Sequence, residues 1–399
     1  MEQTLSIGVN AYEANVAKRV GSNKYAFEML CQMERLTREP EASGALIPQL
    51  NGVKVLWTIY LPSPPLVDLP KERPGFVYKV IPPSKMWTQW RLPLELYFGG
   101  SKHDVFFSLG HYSPRFSPFP TAICILDLAF LKFPQFFLKK DLYQLKEWTK
   151  YSVKQAAHIF TISKSSKSDI IEYYKRADSD ITIAYPGVDQ ESKEETQLLD
   201  PFGQEMETLR QKYGISKGKY ILSVGTIQPR KNIIHAIKAF ELFNPRHENA
   251  FKLVLIGKIG WLSGEFEQLV KTSPQKENIV LTGFIDDTEK QLLLRSCACT
   301  FLVGYYEGFG IPAIESMAAG VVPVVSNTAS LPEVVGEFGI LVDPYSVDKI
   351  ADGFAIAVEN PPTAMRRAEM FEWSKQFCWE ESAKRILETL RMKFAKPTL

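Results

Sequence analysis

The sequence predicts an α/β protein built from two doubly wound parallel sheets, and three observations carry that reading. The chain has 399 residues, more than the roughly 250–300 over which a single hydrophobic core keeps growing. Its residues are 45% hydrophobic and 23% charged, the balance of an ordinary folded chain. Short β-rich runs alternate with stretches that suit helices along most of its length, the rhythm expected of parallel strands joined by helical crossovers.

In the first half the strand candidates are Leu5–Val9, Val53–Tyr60, Phe76–Val80, Val105–Ser108, Ala122–Leu126, His158–Ile162 and Ile181–Ala184. In the second they are Tyr220–Val224, Leu253–Ile256, Ile279–Thr282, Cys299–Val303, Val321–Val325 and Gly339–Val342. Between the two sets the run DQESKEETQLLDPFGQE, Asp189–Glu205, is polar and acidic without a strand pattern and reads as a linker. The domains are therefore placed at 1–190 and 213–372, with a linker at 191–212. In the last segment, 373–399, apolar residues recur at helical spacing (Phe377, Ala383, Ile386, Leu387, Leu390), so it needs an apolar surface to cover.

Forty-seven basic and 45 acidic residues give a net charge of +2, so no strong field points to a nucleic-acid partner. Five cysteines are an odd number, and Cys297-Ala298-Cys299 has neither zinc nor redox spacing, which fits a reducing, cytoplasmic compartment. The start Met1-Glu2-Gln3 lacks a basic region followed by an apolar one, and no apolar stretch reaches the roughly 18 residues of a membrane span. A peripheral contact with the inner face of the plasma membrane stays open. The aromatic and basic stretch Lys85–Arg91, before Leu92–Phe98, suits a membrane interface or a helix packed on the sheet with tryptophan as filler. The run Phe130–Phe137, followed by Lys139 and Lys140, admits the same two readings.

Three places in the second half suggest chemistry. In YILSVGTIQPRKN, a buried strand ends at Gly225, and Arg230 and Lys231 precede a helix starting near Asn232. A glycine there lets a ligand approach the backbone, and cations beside a helix N-terminus favour a phosphate or diphosphate. In EGFGIPAIE, Gly308 and Gly310 open the backbone, Pro312 suits a first helical turn, and Glu307 and Glu315 both fall near the carboxyl ends of the strands. A carboxylate can accept two bonds from vicinal hydroxyls, so these acids suit sugar rings. In MAAGVVPVVSNTASL, Gly320 suits a helix C-cap and the rest reads as packing.

These motifs resemble the retaining, GT-B-fold glycosyltransferases of family 4. The resemblance rests on the PRKN turn, on EGFGIPAIE as an E-x7-E motif, on MAAGVVPVVSN and on FCWEESAKRILETL; it continues more weakly through HDVFFSLGHYSP, LDLAF, TISKSSKSDI and YPGVD. It implies two Rossmann-like domains facing across a cleft, with the last helix returning to the first domain. It further implies that Lys231 and Arg230 hold the donor diphosphate, that Glu315 binds ribose and that Glu307 lies by the donor sugar. Phe309, Gly310 and Ile311 would lend backbone contacts, with Gly225 and Thr226 in the donor turn. Gly21, in the loop after the first strand, matches only loosely, and Asp127 falls beside a family histidine. There the sequence departs from the family: Leu126-Asp127 stands where His-Asp is usual, and Thr226 where many relatives have arginine. His103 and His111 lie near in sequence, although a lone histidine beside a strand is more often structural.

The activity so implied is transfer of a hexosyl unit, mannosyl or glucosyl, from a nucleoside-diphosphate sugar to a saccharide or lipid-linked saccharide, with retention and without cofactor or metal. The alternatives are a GT-B epimerase and a nucleotide-sugar binder with little or no turnover.

Overall fold

The computed structural model describes residues 3–38, 53–188 and 204–395. Two compact units emerge from the contacts: one comprises Met1–Leu131, Lys139–Gly187 and Cys378–Leu399, the other Lys132–Leu138 and Val188–Phe377.

The first unit contains β1 (Gln3–Asn10), β2 (Val53–Leu61), β3 (Phe76–Val80), β4 (Val105–Ser108), β5 (Thr121–Ile125), β6 (His158–Thr161) and β7 (Ile181–Ile183). The second contains β8 (Tyr220–Val224), β9 (Lys252–Ile256), β10 (Ile279–Gly283), β11 (Cys299–Leu302), β12 (Pro323–Ser326) and β13 (Ile340–Val342). Every pairing within these two sheets is parallel. The spatial orders are β3-β2-β1-β4-β5-β6-β7 and β10-β9-β8-β11-β12-β13, so each sheet reverses direction beside its first strand. Open α/β sheets bind ligands at such a reversal, outside the carboxyl ends of the two strands.

The apolar strand runs are explained by burial on both faces. In the second unit Ile237, Phe240 and Phe243 of the helix Ile233–Arg246 pack with Phe354 over Leu253, Phe301 and Val324. The other face carries Met206, Leu209, Leu292 and Leu293 against Leu222 and Val254. This corrects the linker at 191–212: its end belongs to the helix Gln204–Tyr213, whose Met206 and Leu209 help to close the core. Residues 189–203 lie outside the described ones. The segment 373–399 also divides, because Trp373 and Ser374 end the helix Ala364–Ser374 while a separate helix spans Trp379–Phe394.

That last helix packs in the first unit against the helix Ser22–Leu36, with the Tyr25 and Trp379 rings 6.0 Å apart and an Arg35–Glu380 ion pair at the rim. Gly187 is required beside it, since a Cβ there would lie 2.3 Å from the Trp379 backbone nitrogen. The run Phe130–Phe137 is largely a packing element: Phe130 is buried, and in the second unit Phe136 stacks on Tyr305 at 5.5 Å.

Ile386 is completely buried in the last helix. Its replacement by alanine is expected to lower stability by about 2–5 kcal/mol, read from denaturant unfolding. A loss below about 1 kcal/mol would show that the helix packs too loosely to belong to this core.

Candidate active site

The site in the second unit begins where β8 and β11 part. Their ladder pairs only Ile221 with Cys299 and Leu222 with Thr300. Beyond it the Ser223 hydroxyl donates to the Phe301 carbonyl at 3.1 Å. The separation leaves a small cavity lined by Ser223, Val224, Gly225, Thr226, Lys231, Ile233, Leu302, Gly304 and Glu307.

Gly225 closes β8 at φ 147°, where other residues are strained. The next strand end presses against it: a Cβ at Gly257 would lie 2.1 Å from the Gly225 carbonyl oxygen. The turn is held to that neighbour by Ile227 N–H donating to Lys258 O at 3.0 Å and Gly260 N–H donating to Ile227 O at 2.8 Å. Pro229–Lys231 then forms one 3-10 turn. Asn232, at φ 57°, anchors its end by donating from Nδ2 to Val303 O at 3.0 Å and Pro344 O at 2.7 Å. Arg230 and Lys231 are thus presented by a backbone tied down on both sides.

The opposing loop follows β11. Tyr305 N–H donates to Arg230 O at 3.0 Å, and the Ser330 hydroxyl contacts the carbonyls of Glu307 and Phe309 at 2.8 Å each. Gly304 leaves little room for a side chain, since a Cβ there would lie 3.0 Å from both Arg230 O and Glu307 Oε1. Gly310, at φ 109°, leads into the helix Ile311–Ala318, whose first turn contains Pro312. Pro312 has no N–H and Ala313 N–H donates to Gly310 O at 2.9 Å, so what this start offers an anion is chiefly the positive end of the helix dipole.

Glu307 is only 5% exposed. Lys231 Nζ lies 2.8 Å from its Oε1 and donates to Oε2 at 2.9 Å, and Arg230 Nη1 approaches Oε2 at 3.3 Å. The contact to Oε1 lacks hydrogen-bond geometry, so that oxygen is in charge contact yet without a hydrogen bond. Burial alone would raise the carboxyl pKa, but the charges and hydrogen bonds of Lys231 and Arg230 outweigh it and hold Glu307 below the ordinary value. Two cations on one carboxylate leave the cluster with a net charge of +1 (2 − 1).

Lys231, Arg230 and Glu307 therefore meet, with Gly225 and Thr226 on the same cavity wall. Glu315 stands apart, its Oε1 3.1 Å from Lys290 Nζ. Burial lowers the Lys290 pKa by itself, but Glu315 and Asp287 together raise it above the ordinary value. The Phe309 side chain is buried against Phe377 with ring centroids 5.3 Å apart, leaving its backbone toward the loop. Gly310 and Ile311 form the helix start.

Gly21 and Asp127 lie in the first unit. Gly21 caps the helix Ser22–Leu36 at φ 54°, with open space where a Cβ would stand. Asp127 Oδ1 accepts from Ala129 N–H at 3.0 Å and so caps the short helix Ala129–Lys132. Leu126 is buried; its N–H donates to His111 Nε2 at 3.2 Å, and its carbonyl accepts from the Ser166 hydroxyl at 2.9 Å. Burial lowers the His111 pKa, with Asp127 opposing it in part. His103 is enclosed between Tyr60 and Ser6, and burial pushes it down to about 4. Among the described residues, no group of three or more His, Cys, Asp or Glu side chains is arranged to hold a metal.

Sequence reasoning missed Gly257, Gly304 and Lys290. The two glycines had a signal, since each follows closely on the apolar end of a strand. Lys290 had none, being 25 residues from Glu315.

Residues 205–371 match the family model for glycosyl transferases group 1. That match takes in most of the second unit. The chain is 28% identical over 269 residues to O-antigen chain mannosyltransferase B of Escherichia coli, covering 67% of this chain and 68% of that protein. It is 27% identical to the serotype-specific mannosyltransferase WbdA of Escherichia coli across 59% of this chain, and that match spans only 29% of the relative's length. Among solved structures, Anabaena Alr3699/HepE in complex with UDP and glucose aligns with a TM-score of 0.69 and 16% identity, over 96% of this chain and 98% of that one. This likeness is one of fold, and the fold is GT-B.

The low pKa of Glu307 makes stability depend on pH. A group whose folded pKa is depressed contributes fully above its unfolded value, here near 4.5, and loses that contribution as pH falls through the folded value. Glu307→Gln is expected to destabilise by about 1.5–3 kcal/mol at neutral pH, with the gap to the native chain closing in acid below that range. Thermal unfolding of both proteins checks this; a gap independent of pH would contradict the ionised pairing.

Proposed function

We propose that the protein is a retaining hexosyltransferase that moves a mannosyl or glucosyl unit from a nucleoside-diphosphate sugar to a hydroxyl of a saccharide or lipid-linked saccharide, in cell-surface polysaccharide synthesis. The observation that carries this reading is the Arg230–Lys231–Glu307 cluster at the parting of β8 and β11. The mannosyltransferase names of its relatives favour a mannosyl unit. Five free cysteines fit a reducing, cytoplasmic setting.

The chemistry follows from charge. As the bond from the anomeric carbon to the diphosphate oxygen breaks, the pair of electrons passes to the diphosphate. Lys231, Arg230 and the N-terminus of the helix Ile311–Ala318 are placed to stabilise that growing charge. The leaving phosphate oxygen takes the acceptor's proton, and the acceptor oxygen bonds to the anomeric carbon on the face just vacated. Retention results without a separate protein base. Glu307 balances the two cations and borders the cavity where the sugar end of the donor would lie, while Glu315 is assigned the ribose hydroxyls.

A second reading, a nucleotide-sugar binder without turnover, draws on Leu126, an apolar buried residue where the resembling family carries histidine. Acceptor-dependent release of nucleoside diphosphate separates the two. Transfer from an α-linked donor is expected to give an α-linked product by anomeric NMR coupling, with activity that survives excess EDTA. Donor binding without release would favour the binder, and a β-linked product would reject the retaining mechanism.

The two acids are expected to fail differently. Glu315→Gln should raise the donor KM more than it lowers kcat, whereas Glu307→Gln should chiefly lower kcat, by on the order of 10²–10³. Steady-state kinetics that show the same pattern for both variants would contradict the assigned division.

A further inference from the structure

In the first unit, the segment Trp87–Phe98 begins with one wide π turn, Trp87–Arg91, and continues as the α-helix Leu92–Phe98. Its two tryptophans part company. Trp87 is 2% exposed, packs with Ile81 and Leu92, and donates from Nε1 to Ile81 O at 3.0 Å. Trp90 faces outward and is 61% exposed, together with Leu94 at 52%, Tyr97 at 53% and Phe98 at 81%. Spacings of three and four residues set these four on one side of the helix, opposite Leu92 and Leu96, which are buried. Single exposed apolar residues are ordinary, but a contiguous stripe of this kind marks a place of contact.

The charges around the stripe indicate what it contacts. Residues 79–115 contain five Lys and Arg against two Asp and Glu, a net charge of +3 (5 − 2). The acid on the helix, Glu95, is already matched, lying 2.8 Å from Lys79 Nζ and 3.0 Å from Arg91 Nη1. The positive surface continues through Arg115, whose N–H donates to Thr88 O at 2.8 Å and whose guanidinium lies 3.8 Å from the centre of the Tyr151 ring. Tyr151 belongs to the helix Lys139–Gln155, with five lysines against two acids.

We propose that this stripe docks the chain onto the interfacial zone of an anionic phospholipid bilayer. Trp90 and Tyr97 are amphipathic rings suited to headgroup depth, Leu94 and Phe98 reach the acyl boundary, and the flanking cations meet lipid phosphates. No helix among the described residues is long and apolar enough to cross a membrane, so the contact lies along the surface. Lipid binding needs no sugar donor, and its failure leaves the transferase reading untouched.

The test is co-sedimentation of the full-length chain with vesicles of phosphatidylcholine alone, or of equal parts phosphatidylcholine and phosphatidylglycerol. Binding is expected to the second, weakening as salt is raised. It should fall by on the order of ten-fold or more in the Trp90→Ala, Phe98→Ala double variant. Both side chains are exposed, so thermal unfolding of that variant should match the native chain. Three results would overturn the proposal: a native chain that stays in solution with anionic vesicles, equal binding to neutral ones, or full binding by the double variant. Concentration-dependent dimerisation lost with Trp90 and Phe98 would overturn it too, by making a second copy the occupant.

Discussion

A carboxylate buried at the reversal of a parallel sheet is the constraint around which the second unit is organised. Glu307 can remain ionised there only because Lys231 and Arg230 lie against it. A buried ion pair holds only with good geometry, since desolvation otherwise exceeds the attraction. The surrounding structure supplies that geometry. The ladder between β8 and β11 stops after two pairs, Asn232 ties the cationic turn to Val303 just after β11, and Ser330 holds the acidic loop. The glycines at 225, 257 and 304 let three backbones approach where side chains would collide or be strained.

The same geometry leaves the cluster poised for an anion. One carboxylate partly answers two cations, and the helix that starts at Ile311 adds the positive end of its dipole. A diphosphate would bring the remaining negative charge to a partly buried place whose backbone is tied down, where charge interactions are stronger than in open water. Glu315 illustrates a different balance: it is paired to Lys290 on another helix, and ribose hydroxyls would compete with an ammonium for its oxygens.

The strands were legible because parallel strands covered on both faces leave continuous apolar runs bounded by turns. All thirteen candidate runs overlap strands in the described residues. What went unread depended on tertiary contact. The acidic composition of 189–205 masked a helix that begins at Gln204 and earns its place through Met206 and Leu209. The break before Trp379 was invisible because both sides carry helical spacing. In the site, the glycine, cation and acid pattern marked Gly225, Lys231 and Glu307. The pairing of Lys290 with Glu315 had no local trace because a helix crossing sets it, and the two environments of Trp87 and Trp90 depend on how one wide turn meets the sheet.

The most direct test of the central claim is whether Lys231 recognises diphosphate. Calorimetric titration of UDP, GDP and ADP into the native chain and Lys231→Ala would measure it without any acceptor. The account predicts that at least one nucleoside diphosphate binds the native chain and that its affinity falls about ten- to a hundred-fold in the variant, the loss of a charge-assisted contact, while the fold is kept. Equal affinity in both proteins, or no binding of any of the three to the native chain, would contradict it.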